Sequence, residues 1–385
     1  MSTACGGCAL AKTPYHSWRT GPLAKGCRLC VRGEKLVLFV TGLCAQRCFY
    51  CPISEHKFGK DVVYANEWRV EDPAHPRELL EEARLTRASG AGITGGDPLA
   101  NVDRCCSYIR LLKRTFGKAF HIHLYTPLRL VTKERLAKLA KAGLDEIRFH
   151  PSLDDDTLWP RITLAAAHGW VVGMEIPAVP GYEGKTKKLI DYVADKVSFV
   201  NLNELELSDT TAPHYALGGM FEAKDRISYG VKGSQAMALA MLRYARAKGL
   251  IGHFCTARLK DRVQVGNRLR RRAQTISLRT DRITTEGTLV RGCAYLHESA
   301  PGVNYATRMA ALDRTACARV LEELCSTLMG TLGVRLQVDT TKMRIIGGET
   351  AIRKHATTIK QFGLVPAIVE EYPTSDALEL DVRFL

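Results

Sequence analysis

The stretch Lys35-Leu36-Val37-Leu38-Phe39-Val40-Thr41-Gly42-Leu43-Cys44-Ala45-Gln46-Arg47-Cys48-Phe49-Tyr50-Cys51-Pro52 constrains the rest of the chain more than any other. An apolar run of strand length, Leu36–Thr41, ends at Gly42, and Cys44, Cys48 and Cys51 follow within one short loop. Three thiolates can hold three irons of a [4Fe-4S] cube, whereas a closed cluster normally takes four cysteines, so one iron is left open. Buried apolar cysteines and a share in a zinc site are the competing readings of the same residues.

From Leu36 onward a strand-then-helix unit recurs. The pattern predicts strands at 36–41, 92–94, 119–124, 146–149, 171–176, 197–202 and 252–255. Helices are expected near 77–88, 102–115, 133–142, 157–168, 185–195 and 234–247. Short apolar strands joined by helical crossovers make a parallel sheet of about six or seven members, an α/β class. Residues 285–385 then read as β-α-β-β-α-β with a final strand, the ferredoxin-like split unit.

The C-x3-C-x2-C spacing, with Tyr50 just before the last cysteine, resembles the signature loop of the radical S-adenosylmethionine (SAM) enzymes. The strand and helix count likewise resembles that family's partial (β/α)6 barrel over residues 36 to 257. More narrowly, Phe39–Ser54, the cysteine pairs before it and Glu370–Thr374 resemble an archaeal group related to the activating enzymes of glycyl-radical proteins. The resemblance implies that the open iron chelates the amino and carboxylate groups of S-adenosylmethionine. It also implies that the reduced cluster cleaves the sulfonium and that a 5'-deoxyadenosyl radical takes a hydrogen from a substrate. Tyr50 would lie near the adenine, and Gly95-Gly96-Asp97 stands where the family has Gly-Gly-Glu, which receives the amino group. Asp97 shortens that side chain and shifts weight onto backbone carbonyls.

In a parallel sheet the carboxyl ends of the strands build the site. His123, which shares a strand face with His121, is a candidate there, with a satisfied core histidine as the alternative. His150 shares its parity with Arg148, and a positive group at that place would suit a carboxylate. Glu175 is costly to bury unless paired or used by a ligand such as ribose hydroxyls, and Asn203 and Glu204 are placed similarly. Cys255, at the end of the last strand, is either a small buried hydrophobe or a thiol that quenches or relays a radical or ligates a second cluster.

The chain divides on this reading into 1–34, 35–257, 258–284 and 285–385. The first part carries Cys5-x2-Cys8 and Cys27-x2-Cys30, a four-sulfur knuckle for zinc, iron or an auxiliary cluster in a segment too small to bury its own core. Between Arg258 and Arg282 nine basic residues face two acidic ones, and the whole chain carries +15. Such charge suits a polyanion, so modification of RNA is the leading expectation, with an acidic protein substrate, as for an activase, and a small molecule or lipid as alternatives. A ferredoxin or flavodoxin is the expected electron donor. No apolar stretch approaches the ~20 residues of a membrane span and no signal segment opens the chain, so a cytoplasmic enzyme is expected.

Overall fold

A computed structural model describes residues 10–385, in two compact units, 10–265 and 266–385. In the first unit the chain runs β1 (Ala11–Lys12), β2 (Trp18–Arg19), α1 (Lys25–Val31), β3 (Lys35–Phe39), β4 (Val63–Ala65), β5 (Trp68–Val70), α2 (Arg77–Leu85) and β6 (Gly90–Thr94). It continues α3 (Val102–Phe116), β7 (His121–Thr126), α4 (Lys133–Ala142), β8 (Glu146–Phe149), β9 (Val171–Ala178), α5 (Glu183–Val193), β10 (Phe199–Glu204), α6 (Leu217–Met220), α7 (Ser234–Ala247) and β11 (Ile251–Cys255). Residues Trp159–His168 form 3₁₀ turns rather than the expected α-helix. Pro160 in the first turn and three consecutive alanines with few apolar anchors suit that tighter, looser-packed form.

Seven strands are parallel neighbours in the order β3-β6-β7-β8-β9-β10-β11. Antiparallel pairs extend both edges, β4 and β5 beside β3 and β2 and β1 beside β11, so the sheet as a whole is mixed. Apolar residues at helical spacing bury the crossovers on it, as in α3 with Cys105, Ile109 and Leu112 fully covered. Helix α4 begins on Thr132, whose side chain accepts from the Arg135 N–H, and stops at Gly143.

From residue 10 the amino-terminal segment packs into the first unit rather than standing apart from it. Its strands finish a sheet edge, and α1 enters the concave face of the sheet. The Gly26 N–H donates to Glu146 on β8, Asn201 on β10 donates to the Cys27 sulfur, and Leu29 reaches Gly90 on β6. A single helix touching strands that far apart requires the sheet to curl around it. Gly26 is needed there, because a Cβ would come within 2.7 Å of both the Arg148 guanidinium and the His123 ring. Helix α1 leaves little signal in the sequence, being one short helix without amphipathic period: Gly26, Cys27, Leu29, Cys30 and Val31 are all buried. Cys5 and Cys8 lie outside the described residues.

The second unit holds α8 (Gly266–Ile276), β12 (Arg282–Ile283), β13 (Leu289–Tyr295), α9 (Tyr305–Ala311), α10 (Arg314–Leu332), β14 (Leu336–Asp339), β15 (Arg344–Gly347), α11 (Glu349–Lys354), α12 (Ala356–Gln361), β16 (Val365–Glu371) and β17 (Glu379–Phe384). The antiparallel order β14-β15-β13-β16-β17 is that of the split β-α-β-β-α-β unit with one added edge strand. The first helical crossover of this unit is two helices, α9 and α10, broken where Asp313 caps α10 by accepting from the Thr315 and Ala316 N–H groups.

Arg344 is fully buried in this unit and pairs with Asp339 at 2.9 Å, with Glu371 and with Glu379 at 3.5 Å. The arginines of α8 are likewise engaged. Arg272 is buried and donates to the Pro373 carbonyl, and Arg270 donates to Asn267 at 2.9 Å and to the Thr285 carbonyl.

Candidate functional site

The carboxyl ends of the parallel strands enclose a cavity of about 660 Å³. Cys44, Cys48, Cys51, Tyr50, Gly95, Gly96, His150, Glu175, Asn203 and Glu204 all line it. Glycine is required beneath the cysteine loop. Gly95 has φ +149°, and a Cβ on Gly96 would lie 2.5 Å from the Leu43 carbonyl oxygen. With the backbones this close, the Gly96 and Asp97 N–H groups donate to the Thr41 and Leu43 carbonyls at 2.8 Å, tying β6 to the start of the loop. On the loop's other side Thr41 donates to Asp61 at 2.9 Å, and Arg104 holds Asp61 through both nitrogens at 2.6 and 2.9 Å.

The three thiols are half-buried and free. The Gln46 N–H donates to the Cys44 sulfur at 3.4 Å, and the Cys48 thiol lies 3.7 Å from the Gln46 side-chain oxygen. Burial pushes the Cys48 thiol up to about 11, with Tyr50 opposing and the neighbouring cysteines adding to the rise. Among the described residues no three His, Cys, Asp or Glu side chains close on one point as the ligands of a single ion do. Three free thiols in one short loop, spread around one wall of a roomy cavity, fit the corners of a cluster instead.

Across the cavity His150 donates from Nδ1 to the Glu175 carbonyl at 2.7 Å. Its Nε2 is then the acceptor for the Tyr50 hydroxyl at 2.9 Å. Burial lowers its pKa, so the ring is neutral. Glu175 accepts from Arg148 and Asn201 at 2.9 Å and from Asn203 at 3.0 Å. Burial alone would raise this carboxyl, but the guanidinium and the two amides outweigh it and hold it below the ordinary value. Glu204 accepts from Lys224 at 2.8 Å and from the Ala257 N–H at 2.8 Å, which fixes the chain leaving β11.

Three of the sequence candidates sit elsewhere. Asp97 is fully buried and faces away from the cavity, accepting from the Leu99 N–H at 3.0 Å and from Thr126 at 2.8 Å. The shorter carboxylate thus braces the turn after β6. His123 is buried against α1, hydrogen-bonded to Tyr125 at 3.0 Å, because its inward parity on β7 points it at the helix rather than at the strand ends. Cys255 lines a second, smaller cavity. Tyr125, Thr126, Glu206 and Lys260 also line the main cavity and were not singled out beforehand. Tyr125 and Thr126 end β7, so the strand-end rule applied one step further along would have found them.

Residues 38–166 match the family model of the radical SAM superfamily. A protein of Methanocaldococcus jannaschii whose name proposes a glycyl-radical enzyme activating enzyme is 39% identical over 279 residues, 70% of this chain and 73% of that protein. The chain belongs to the radical SAM superfamily. As a radical SAM protein it is an iron–sulfur enzyme, and the family implies S-adenosylmethionine and a [4Fe-4S] cluster. A PqqA peptide cyclase of Bradyrhizobium diazoefficiens is 28% identical over 115 residues, 29% of this chain and 27% of that one. Among solved structures, methylornithine synthase is 14% identical with TM-score 0.37, covering 58% of this chain and 71% of its own. A tryptophan-bound radical SAM methyltransferase of Kitasatospora setae is 13% identical with TM-score 0.35, covering 49% and 40%. No helix among the described residues is long and apolar enough to cross a membrane.

Proposed function

We infer that this enzyme takes a hydrogen atom from a protein substrate, in the manner of an activating enzyme. The observation that carries this reading is the 39% identity across most of both chains to the M. jannaschii protein, whose name proposes that activity. Cys44, Cys48 and Cys51 would hold a [4Fe-4S] cluster, which with S-adenosylmethionine would supply the hydrogen-abstracting radical on reduction.

The chain's own residues hold and shield that chemistry. Gly95 and Gly96 let the backbone carry the cysteine loop close to the ligand, and Tyr50, fixed by neutral His150, offers a ring face. Glu175 and Asn203 present polar atoms at the strand ends, where ribose hydroxyls would need them. Phe58, Ile53, Leu207 and Tyr229 are apolar parts of the wall and keep water from the radical. The formal charge of +15 favours an acidic protein surface as partner and a ferredoxin or flavodoxin as donor.

Modification of RNA rested on the arginine-rich stretch, and the engagement of Arg270 and Arg272 within the protein takes away its main support. The test is anaerobic incubation of reconstituted enzyme, dithionite and S-adenosylmethionine with proteome and, separately, with total RNA. A protein-centred radical or altered peptide is expected. Altered nucleosides with an unchanged proteome would overturn the protein reading in favour of RNA.

A further inference from the structure

A second cavity, of about 170 Å³, lies inside the curled sheet against α1. Cys27, Cys30, Cys255 and His253 all line it, with Lys35, Arg148, Lys260 and Glu175. His253 and Cys255 are two residues apart on β11 and therefore share its inward face. Cys27 and Cys30 stand one turn apart on α1.

The imidazole points to a ligand independently of the thiols. His253 is only 5% exposed, yet neither ring nitrogen has a hydrogen-bond partner among the described residues. Two orphaned nitrogens in a polar interior are costly, and a buried polar group without a partner in a native fold asks for a missing one.

The charges agree. Of the groups lining the cavity, Lys35, Arg148 and Lys260 are cations and Glu175 alone is a carboxylate. Arg148 and Lys260 are further held by Glu146 and Glu206, both at 2.5 Å. Lys35 has only the Tyr125 hydroxyl at 3.4 Å and no carboxylate among the described residues. A half-buried ammonium of this kind, set in the cavity wall, suits an anionic neighbour. Asn201 already donates to the Cys27 sulfur at 3.1 Å, and Gln264 approaches the Cys255 sulfur at 3.7 Å, as amides do around metal-bound thiolates.

We propose that Cys27, Cys30, Cys255 and His253 hold a second iron–sulfur cluster, separated from the S-adenosylmethionine cavity by a wall of Tyr125, Glu175, Asn203 and Lys260. These four residues line both cavities. A cluster suits the site better than a single ion, since the ligands surround a space with room for about five or six waters rather than converging on one point. Thiolate–imidazole ligation of iron–sulfur clusters is chemically established, and a bound anionic cluster would face Lys35. Each thiol gives up its proton on ligation, and the iron and sulfide come from the assembly medium.

The decisive protein is the full chain carrying Cys44→Ala, Cys48→Ala and Cys51→Ala, which lacks the central cluster's ligands. Anaerobic reconstitution of it with iron and sulfide should leave iron and acid-labile sulfide in equal amounts, with a visible charge-transfer absorption. Adding Cys255→Ser, or Cys27→Ser with Cys30→Ser, should remove both, and His253→Ala should shift the absorption and Mössbauer signature. Wild-type protein, which needs no substitution to fold, should hold more iron than the roughly four of one cubane. The proposal is overturned if the triad variant binds no iron or only zinc. It is also overturned if wild type stops at one cluster, or if Cys5→Ala/Cys8→Ala removes the second centre while Cys255→Ser keeps it. None of these readings depends on the substrate.

Discussion

Two cysteine sets occupy the same unit, and they differ in how they are assembled. Cys44, Cys48 and Cys51 sit within one loop, half-buried, on a cavity of about 660 Å³ open to a ligand. Cys27, Cys30 and Cys255 are buried and come together only because β11 and α1, far apart in sequence, meet inside the curled sheet. A local motif keeps its meaning in any fold that exposes the loop. A non-local set has meaning only after the fold has closed.

The largest expected effect comes from removing a ligand of the local set. Cys48→Ala should bring dithionite-driven 5'-deoxyadenosine formation down to the enzyme-free background, while iron at the interior set persists. Loss of all iron in this variant would show the two sets to be one system and break the comparison. Uptake of iron by the triad should also be faster at higher pH. Cys48 is pushed up to about 11, so its thiolate fraction grows about tenfold per pH unit below that value. Reconstitution kinetics followed by the visible charge-transfer absorption across pH 7 to 9 check this, with pH-independent uptake as the contrary result.

Next in size is Glu175→Gln, in the wall between the cavities. The carboxylate holds Arg148 at 2.9 Å, and its loss leaves a fully buried guanidinium with less compensation. Breaking such a pair typically costs about 3–5 kcal/mol. Chemical unfolding at neutral pH should show that loss, and both cluster signatures should change together. The wild-type chain should have the matching pH dependence. Because the folded carboxyl is held below its ordinary value of 4.5, the stability it contributes is complete above that pH and fades as pH falls through the lowered value. Glu175→Gln should lack this part of the acid limb. Equal acid limbs in the two proteins would mean that the carboxyl is not the group responsible.

The same contrast explains what the sequence disclosed. Helices 133–142 and 234–247 and strand 146–149 were legible to the residue, because apolar period and the stops at Gly143 and Gly249 act locally. Strand-end position placed His150, Glu175, Asn203 and Glu204 around one cavity. It failed for Asp97, whose backbone is at a strand end but whose side chain is captured by Thr126. It failed for His123 because nothing local says that a helix from residues 25–31 will fill the sheet's concave side. The α8 arginines failed in the same way: their charge is visible in sequence, but the Pro373 and Thr285 carbonyls that engage them are not.

A smaller effect belongs to the floor of the cysteine loop. Gly96→Ala places a Cβ 2.5 Å from the Leu43 carbonyl and 2.8 Å from that of Gly42, both backbone atoms that cannot swing aside. Relief by displacing the loop should cost about 1–3 kcal/mol. The displacement should weaken iron retention by the triad and leave the interior set as it was, measured by iron release to a chelator. Equal release from both sets would show that the loop is not independently supported.

The smallest effect expected is that of Tyr50→Phe. The phenol hydrogen-bonds to His150 at 2.9 Å, while its ring packs edge-on against Phe49 with centroids 4.9 Å apart. Phenylalanine keeps the ring and loses the bond, leaving the His150 Nε2 without its donor, which costs about 1 kcal/mol. If Tyr50 serves by offering a ring face to the bound nucleoside, affinity for S-adenosylmethionine should fall only about fivefold, the equivalent of that energy. Turnover at saturation should stay unchanged. Tyr50→Leu removes the face as well and should weaken binding further. Equilibrium binding and saturating 5'-deoxyadenosine formation, measured on both variants, separate the two contributions. A collapse of saturated turnover in Tyr50→Phe would mean that the hydroxyl acts beside Cys48 in the chemistry itself, and the triad's surroundings would then be less passive than the comparison with the interior set supposes.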